Sequence, residues 1–219
     1  RNFHMFTITE SALDPEYCKY LWETYKTADS SHEDWWRHHK PRFNTHRDRD
    51  EDLKEEWIEM FQIPIDRFMA ESGYNLQEEF PIKPRITGIY INRYPTDSYL
   101  KWHTDKLGHR VCVIYLNPEW DSKSQGGIFE YHNEYWDKHL MKQRRALMDS
   151  KFYEPSNDKE VLQIKPKFNR AVFLNSSDCG VLHRTTPILG PEPKLSLLIA
   201  VTETVYRNDY TEGALHHHD

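Results

Sequence analysis

The sequence predicts a mainly β fold of the α+β class, in which an antiparallel jelly-roll core carries N-terminal helices packed outside it. Three observations lead there: the two clear helical periods come before residue 83, eight short β-rich runs follow residue 84, and there is no regular strand-helix-strand alternation. At 219 residues the chain is long enough for one domain with a sizeable core. It divides into 1–82 as mainly helical support and 83–206 as the core, with a charged insertion at 133–159.

The first helix opens at Asp14-Pro15-Glu16, a cap, a proline at the first helical position and an acidic first turn, and Tyr17, Leu21 and Tyr25 continue it. Residues 30–52 are strongly polar and carry no period, which predicts a loop. Leu53, Trp57, Phe61, Ile65, Phe68 and Met69 recur at three- and four-residue steps until Ser72-Gly73, predicting a second amphipathic helix. Strands are expected at Arg85–Tyr94, Tyr99–His103, Arg110–Leu116, Gly127–Tyr131, Val161–Ile164, Arg170–Asn175, Val181–Thr185 and Leu195–Thr204. Many short strands joined by turns suggest a sandwich or barrel. The insertion sets Lys138, Lys142, Arg144 and Arg145 beside Trp136, Leu140 and Met141. It reads as a solvated amphipathic helix, with a lid or substrate-binding element as the sharper alternative.

Composition narrows the function classes. Hydrophobic residues make up 37% and charged residues 29%, a polar balance offset by 14% aromatics. A net charge of -6 supplies no overall field toward nucleic acid or an anionic membrane. Cys18, Cys112 and Cys179 are far apart, lack metal-type spacing and leave one over if two pair, which points to a reducing compartment. No apolar run approaches the roughly 18 residues of a membrane span, and Arg1–Thr9 lacks the order of a signal peptide. The expectation is a soluble, cytoplasmic protein. The His216–His218 run is set aside from the fold argument.

Two imidazoles and one carboxylate on one face of an ion form the facial triad of non-haem iron sites. Its sequence trace is His-x-Asp with a distant downstream His. Four such triplets occur: His32-Glu33-Asp34, His46-Arg47-Asp48, His103-Thr104-Asp105 and His217-His218-Asp219. The first two fall in the polar segment and the last at the end of the sequence, where ordering the ligands would cost conformational entropy. His103 instead closes the β-type run from Tyr99, and strand alternation places His103 and Asp105 on one face. His183 closes a second such run, Gly180-Val181-Leu182-His183, making it the natural third ligand. Taken singly, His103 is better read as a hydrogen-bonded strand histidine and Asp105 as a turn-forming carboxylate.

The surrounding motifs favour the metal site. Cys112-Val113-Ile114-Tyr115-Leu116-Asn117-Pro118-Glu119-Trp120 followed by Gly126-Gly127-Ile128-Phe129, then Lys165-Pro166-Lys167-Phe168-Asn169-Arg170-Ala171-Val172-Phe173, then His183 and Pro187, appear in the order and spacing of a known family. Over about Tyr90 to Thr202 the chain resembles the prolyl 4-hydroxylase-like Fe(II)- and 2-oxoglutarate-dependent dioxygenases, among them the prolyl hydroxylase domain oxygen sensors. The resemblance implies a double-stranded β-helix form of the jelly roll and Fe(II) held by His103, Asp105 and His183. It further implies 2-oxoglutarate as cosubstrate, dioxygen as oxidant and ascorbate in a supporting role. It places Lys194 at the basic position that receives the far carboxylate, where many relatives carry arginine nearer the histidine; here Gly190-Pro191-Glu192-Pro193 lengthens the turn. Ser196 shares that strand face, and Tyr115 and Tyr94 match two pocket tyrosines.

The implied reaction hydroxylates an unactivated C–H bond and releases succinate and carbon dioxide. A peptidyl proline is the leading substrate, ahead of a free amino acid or other small metabolite. A nucleic-acid demethylase ranks third, since neither a basic surface nor its second downstream arginine is evident. From another class, the chain could be a non-catalytic jelly-roll module whose triad is structural or holds zinc.

Overall fold

The structure, a computed structural model, describes residues 6–27, 85–104, 109–132, 136–137, 161–174 and 179–202. The expected second helix, the 30–52 loop, Asp105 and all of the 133–159 insertion except Trp136–Asp137 lie outside the described residues.

The described elements run in the order β1 (Phe6–Thr9), α1 (Pro15–Tyr25), β2 (Arg85–Tyr94), β3 (Leu100–His103), β4 (His109–Tyr115), α2 (Ser122–Gln125), β5 (Phe129–His132), β6 (Trp136–Asp137), β7 (Val161–Ile164), β8 (Ala171–Leu174), β9 (Cys179–Gly180), β10 (His183–Thr185) and β11 (Lys194–Thr202). Helix α1 begins as its sequence directs, with Pro15 at the first position and the Asp14 carboxylate accepting the Glu16 N–H at 3.1 Å. A five-stranded sheet has the order β1-β8-β4-β11-β2 and a four-stranded sheet the order β3-β10-β5-β7, with every pairing antiparallel. A short β6–β9 ladder stands apart from both. This is the jelly roll expected from the strand pattern, and α1 lies outside it.

Period-two alternation on β11 sorts its side chains between two environments. Leu195, Leu197 and Ile199 are fully buried with Ile91, Cys112, Ile114, Leu116, Ala171 and Phe173, and Cys18, Leu21 and Trp22 of α1 complete this layer. Each such aliphatic side chain contributes about 1.5–3 kcal/mol by leaving water. Lys194 and Ser196 take the opposite face, toward the four-stranded sheet. There Tyr115 and Val172 pack with Ile164, and Phe6, Val113, Phe129 and Tyr131 border them.

The N-terminal segment contributes a strand as well as a helix. Strand β1 pairs along β8 from Phe6 opposite Leu174 to Thr9 opposite Ala171. Four residues with a mixed polar and apolar pattern give no local signal strong enough to announce a strand. Asn169, in the turn before β8, ties this segment down. Its Oδ1 accepts the Leu13 N–H at 3.0 Å and the Cys18 thiol at 3.3 Å, while its Nδ2 donates to the Leu13 carbonyl at 2.7 Å. Asn169 also sits at φ 58, in the left-handed region that asparagine tolerates better than most residues. Asn169→Ala is expected to cost about 4 kcal/mol, from three hydrogen bonds of about 1 kcal/mol each and a backbone penalty of about 1 kcal/mol. Urea unfolding measures it; a loss under 1 kcal/mol would refute the anchoring role. Burial, with a smaller contribution from Asp14, pushes the Cys18 thiol up to about 12, so it stays protonated in this contact.

Candidate functional site

His103 ends β3 and His183 begins β10, and the two are directly opposed across the ladder that joins these strands. Their ring centroids lie 4.2 Å apart with planes 57° to one another. Each ring is held in the same way. His103 Nδ1 lies 2.6 Å from the Lys101 carbonyl and His183 Nδ1 lies 2.7 Å from the Val181 carbonyl, the oxygen two residues back in both cases. A carbonyl only accepts, so Nδ1 carries the proton in both rings and the neutral tautomer places the lone pair on Nε2. Metal-binding histidines are commonly oriented by such a bond to a backbone carbonyl. Phe129, on β5, lies 5.4 Å from the His183 ring and gives the pair an apolar flank.

The opposed pair depends on an irregularity that straight alternation does not contain. His183 faces His103 but Thr185 faces Leu100, so β3 has one residue more than β10 over the same span. This bulge lies immediately before His103, where it re-aims the side chains that follow it. The third nominated ligand, Asp105, lies outside the described residues, and among those described no group of three His, Cys, Asp or Glu residues gathers into a metal site. What is described is the two-imidazole part of the set.

The four residues nominated for the cosubstrate occupy neighbouring registers of the five-stranded sheet. Lys194 faces Tyr94 across β11–β2, and Ser196 faces Tyr115 across β11–β4. All four are buried. The Lys194 ammonium lies 4.7 Å from the Tyr94 ring centroid and 5.6 Å from that of Tyr115, and donates to the Gly127 carbonyl at 3.2 Å. Burial lowers its pKa to about 7, and among the described residues no carboxylate stands against it. A desolvated cation backed only by ring faces and one carbonyl is a strong attractor for an anion. Burial raises the Tyr115 hydroxyl well above its ordinary value, with a smaller contribution from Tyr94 and opposition from Arg170. Tyr115 is therefore a neutral donor at any working pH.

These donors fit both groups implied by the family resemblance. Two imidazoles with lone pairs on Nε2 suit a divalent transition metal, and a buried cation with phenol and serine hydroxyls suits one end of a dicarboxylate.

Two supports of the pocket were not singled out from sequence. Asn117 accepts the Leu195 N–H at 2.8 Å and donates to the Pro193 carbonyl at 2.9 Å, fixing the backbone on either side of Lys194. Only its place at the end of an apolar strand hinted at a role. Gly127, at φ 66, sits under the lysine stem: a Cβ there would meet Ile188 Cδ1 at 2.8 Å, Lys194 Cδ at 3.1 Å and Trp120 Cζ2 at 3.3 Å. Gly127→Ala is expected to displace Lys194 and weaken 2-oxoglutarate binding by about tenfold, the equivalent of roughly 1.4 kcal/mol. Calorimetric titration checks this; unchanged affinity would show that the pocket tolerates the methyl.

No curated protein matches the chain. Among solved structures, a prolyl hydroxylase from Trichoplax adhaerens, in complex with a hypoxia inducible factor oxygen degradation domain peptide fragment, aligns with 94% of this chain and 87% of its own at a TM-score of 0.61 and 16% identity. A prolyl-4-hydroxylase from Pseudomonas putida aligns with 91% of this chain and 93% of its own at a TM-score of 0.57 and 13% identity. HygX from Streptomyces hygroscopicus, with nickel and 2-oxoglutarate bound, aligns with 91% and 83% at a TM-score of 0.57 and 13% identity. At such identities the likeness establishes the shared fold. The family model of the 2OG-Fe(II) oxygenase superfamily matches residues 89–201, more than half of the sequence and the stretch that contains both histidines and Lys194. By that match the chain belongs to the 2OG-Fe(II) oxygenase superfamily, whose chemistry rests on Fe(II) and 2-oxoglutarate.

Proposed function

We propose that this oxygenase hydroxylates an unactivated C–H bond of a peptidyl proline, in the manner of a prolyl 4-hydroxylase. His103, Asp105 and His183 hold Fe(II), and Lys194, Ser196, Tyr115 and Tyr94 hold the far end of 2-oxoglutarate. The observation that carries this reading is the opposed histidine pair, both rings locked by the carbonyl two residues back, in the same barrel as a buried lysine with no carboxylate of its own among the described residues.

Held there, Fe(II) with 2-oxoglutarate and dioxygen would supply oxidative decarboxylation to succinate and carbon dioxide, coupled to hydroxylation of the substrate. The protein's own residues prepare the ground for that chemistry. The Lys101 and Val181 carbonyls hold each imidazole with Nε2 as the basic nitrogen. Lys194 supplies the positive charge for the far carboxylate, and the neutral Tyr115 hydroxyl donates without adding charge. Phe129 keeps water from one side of His183.

Support for proline comes from the motif resemblance and from two structural relatives named as prolyl hydroxylases. A second reading, hydroxylation of a small molecule, is favoured by HygX, which has been solved with hygromycin B bound and shares this fold at a TM-score of 0.57. A mass-shift screen separates them. With Fe(II) and 2-oxoglutarate supplied, proline-containing peptides should gain one oxygen atom; oxygen gained only by free amino acids or other small molecules would move the assignment to the second reading.

A further inference from the structure

Arg184 lies between His183 and Thr185 on β10 and has no role in the reading above. The rings of His103, His183 and Phe129 share one face of the four-stranded sheet, so alternation sends Arg184, Trp102 and Glu130 to the other. On that face a single row crosses all four strands. The Arg184 guanidinium carbon stands 4.8 Å from the centroid of the Trp102 ring on β3. Its Nη2 donates to Glu130 Oε2 on β5 at 3.1 Å, and Gln163 Nε2 on β7 donates to Glu130 Oε1 at 3.5 Å. Glu130 is in register with Arg184 on one side and Gln163 on the other. Trp102 and Glu130 are both buried, so the guanidinium is held between a ring and a carboxylate that water reaches poorly.

The place of this row in the ladder ties it to the histidines. His183 faces His103 and Thr185 faces Leu100, which leaves Lys101 and Trp102 of β3 together opposite Arg184. Two residues against one form a β-bulge, where regular backbone pairing is interrupted. Each bulged residue makes one contact that bears on the site. The Lys101 carbonyl accepts from His103 Nδ1 at 2.6 Å, and the Trp102 ring takes the Arg184 guanidinium. Arg184 therefore joins β3 to β10 where the ladder is weakest, one residue from each imidazole. A planar guanidinium can stack on the ring and pair with the carboxylate at once, which a compact ammonium does less well.

We propose that Arg184 is a positioning residue for the iron site: by bridging Trp102 and Glu130 it fixes the β3 bulge, and with it the Lys101 carbonyl that orients His103. This rests on the iron site proposed above. Arg184 acts from the face turned away from the two imidazoles, through Trp102 and Lys101.

The test measures Mn(II) affinity by calorimetry on the anaerobic protein, the visible absorption of the Co(II)-loaded protein, and the melting temperature. Arg184→Lys keeps a positive charge beside Glu130 and loses the planar face. It should weaken Mn(II) about tenfold, the lower end for loss of an outer partner of a metal-bound histidine, and shift the Co(II) bands even at saturating metal. Trp102→Leu should do the same, whereas Trp102→Phe keeps a ring under the guanidinium and should retain most of the affinity and the wild-type spectrum. Adding Trp102→Leu to Arg184→Lys should weaken Mn(II) little further, because both break one contact. Leu21→Ala, in the layer beneath α1, controls for lost stability alone: it should lower the melting temperature and leave Mn(II) affinity and the Co(II) spectrum as in wild type. An Arg184→Lys protein that binds Mn(II) within twofold of wild type and keeps its Co(II) spectrum would overturn the proposal. So would Leu21→Ala if it reproduced the same losses. Should Trp102→Leu fail to fold, Arg184→Lys decides by itself. Failure of the underlying site looks different: wild type would bind no Mn(II), or His183→Ala would bind it as tightly as wild type does.

Discussion

His183→Ala is expected to reduce iron-dependent succinate release to background while leaving the fold intact. The size of the effect follows from the geometry of the pair. Loss of an outer hydrogen-bond partner of a metal-bound histidine costs about 10–100-fold, so removing the imidazole itself should cost more than about 100-fold. His183 is the first residue of a three-residue strand, and its neighbours Val181 and Leu182 carry the apolar burial there. Stability should therefore change little, and circular dichroism with thermal melting provides the control. His103→Ala should behave alike, because the two rings face each other across one ladder. Succinate release that persists in either variant would refute the ligand assignment; persistent Zn(II) binding without turnover in wild type would favour the non-catalytic module.

Lys194→Met is expected to have the next largest effect, with opposite signs on cosubstrate binding and on stability. Removing one partner of a desolvated, hydrogen-bonded charge pair costs about 2–5 kcal/mol, which is about 30-fold or more in 2-oxoglutarate affinity. The ligand-free protein should become more stable at neutral and lower pH, because methionine fills the site without a buried charge. The pH dependence gives a separate check. Burial lowers the lysine pKa in the folded protein to about 7, from 10.5 in the ordinary state. Between those values the unfolded chain binds more protons than the folded one, so wild-type stability should rise with pH from about 7 toward 10. The penalty is complete below pH 7 and is relieved above it. The methionine variant should lack this slope, and superimposable melting profiles for the two proteins would argue against a buried cation.

Most of the core was legible because its signals are local. The run from Arg110 to Leu116 and that from Leu195 onward are β-rich with few interruptions, and they became the adjacent β4 and β11. Helix α1 was announced by Asp14-Pro15 and ends at Tyr25. The histidine pair was legible for a similar reason: both fall in β-type runs, although His103 ends β3 whereas His183 begins β10 rather than closing the run before it. What escaped notice depends on register between distant segments. The bulge in β3 exists only against β10, and the clamp of Asn117 only against Pro193 and Leu195. None of these has a signature within its own ten residues. The lengthened turn at Gly190–Pro193 left the position of Lys194 open in sequence, and the ladder seats that residue opposite Tyr94.

Because β11 alternates between the layer beneath α1 and the ligand-facing side, inheritance of the two is linked. One inserted or deleted residue within Lys194–Ile199 would send leucines to the ligand and the lysine into oil. Drift in this strand is thus confined to exchanges of side chain, while changes in length must fall in the preceding Gly190–Pro193 turn. Relatives that place their basic residue at another distance from the histidine are expected to differ in that turn and to keep the strand unbroken.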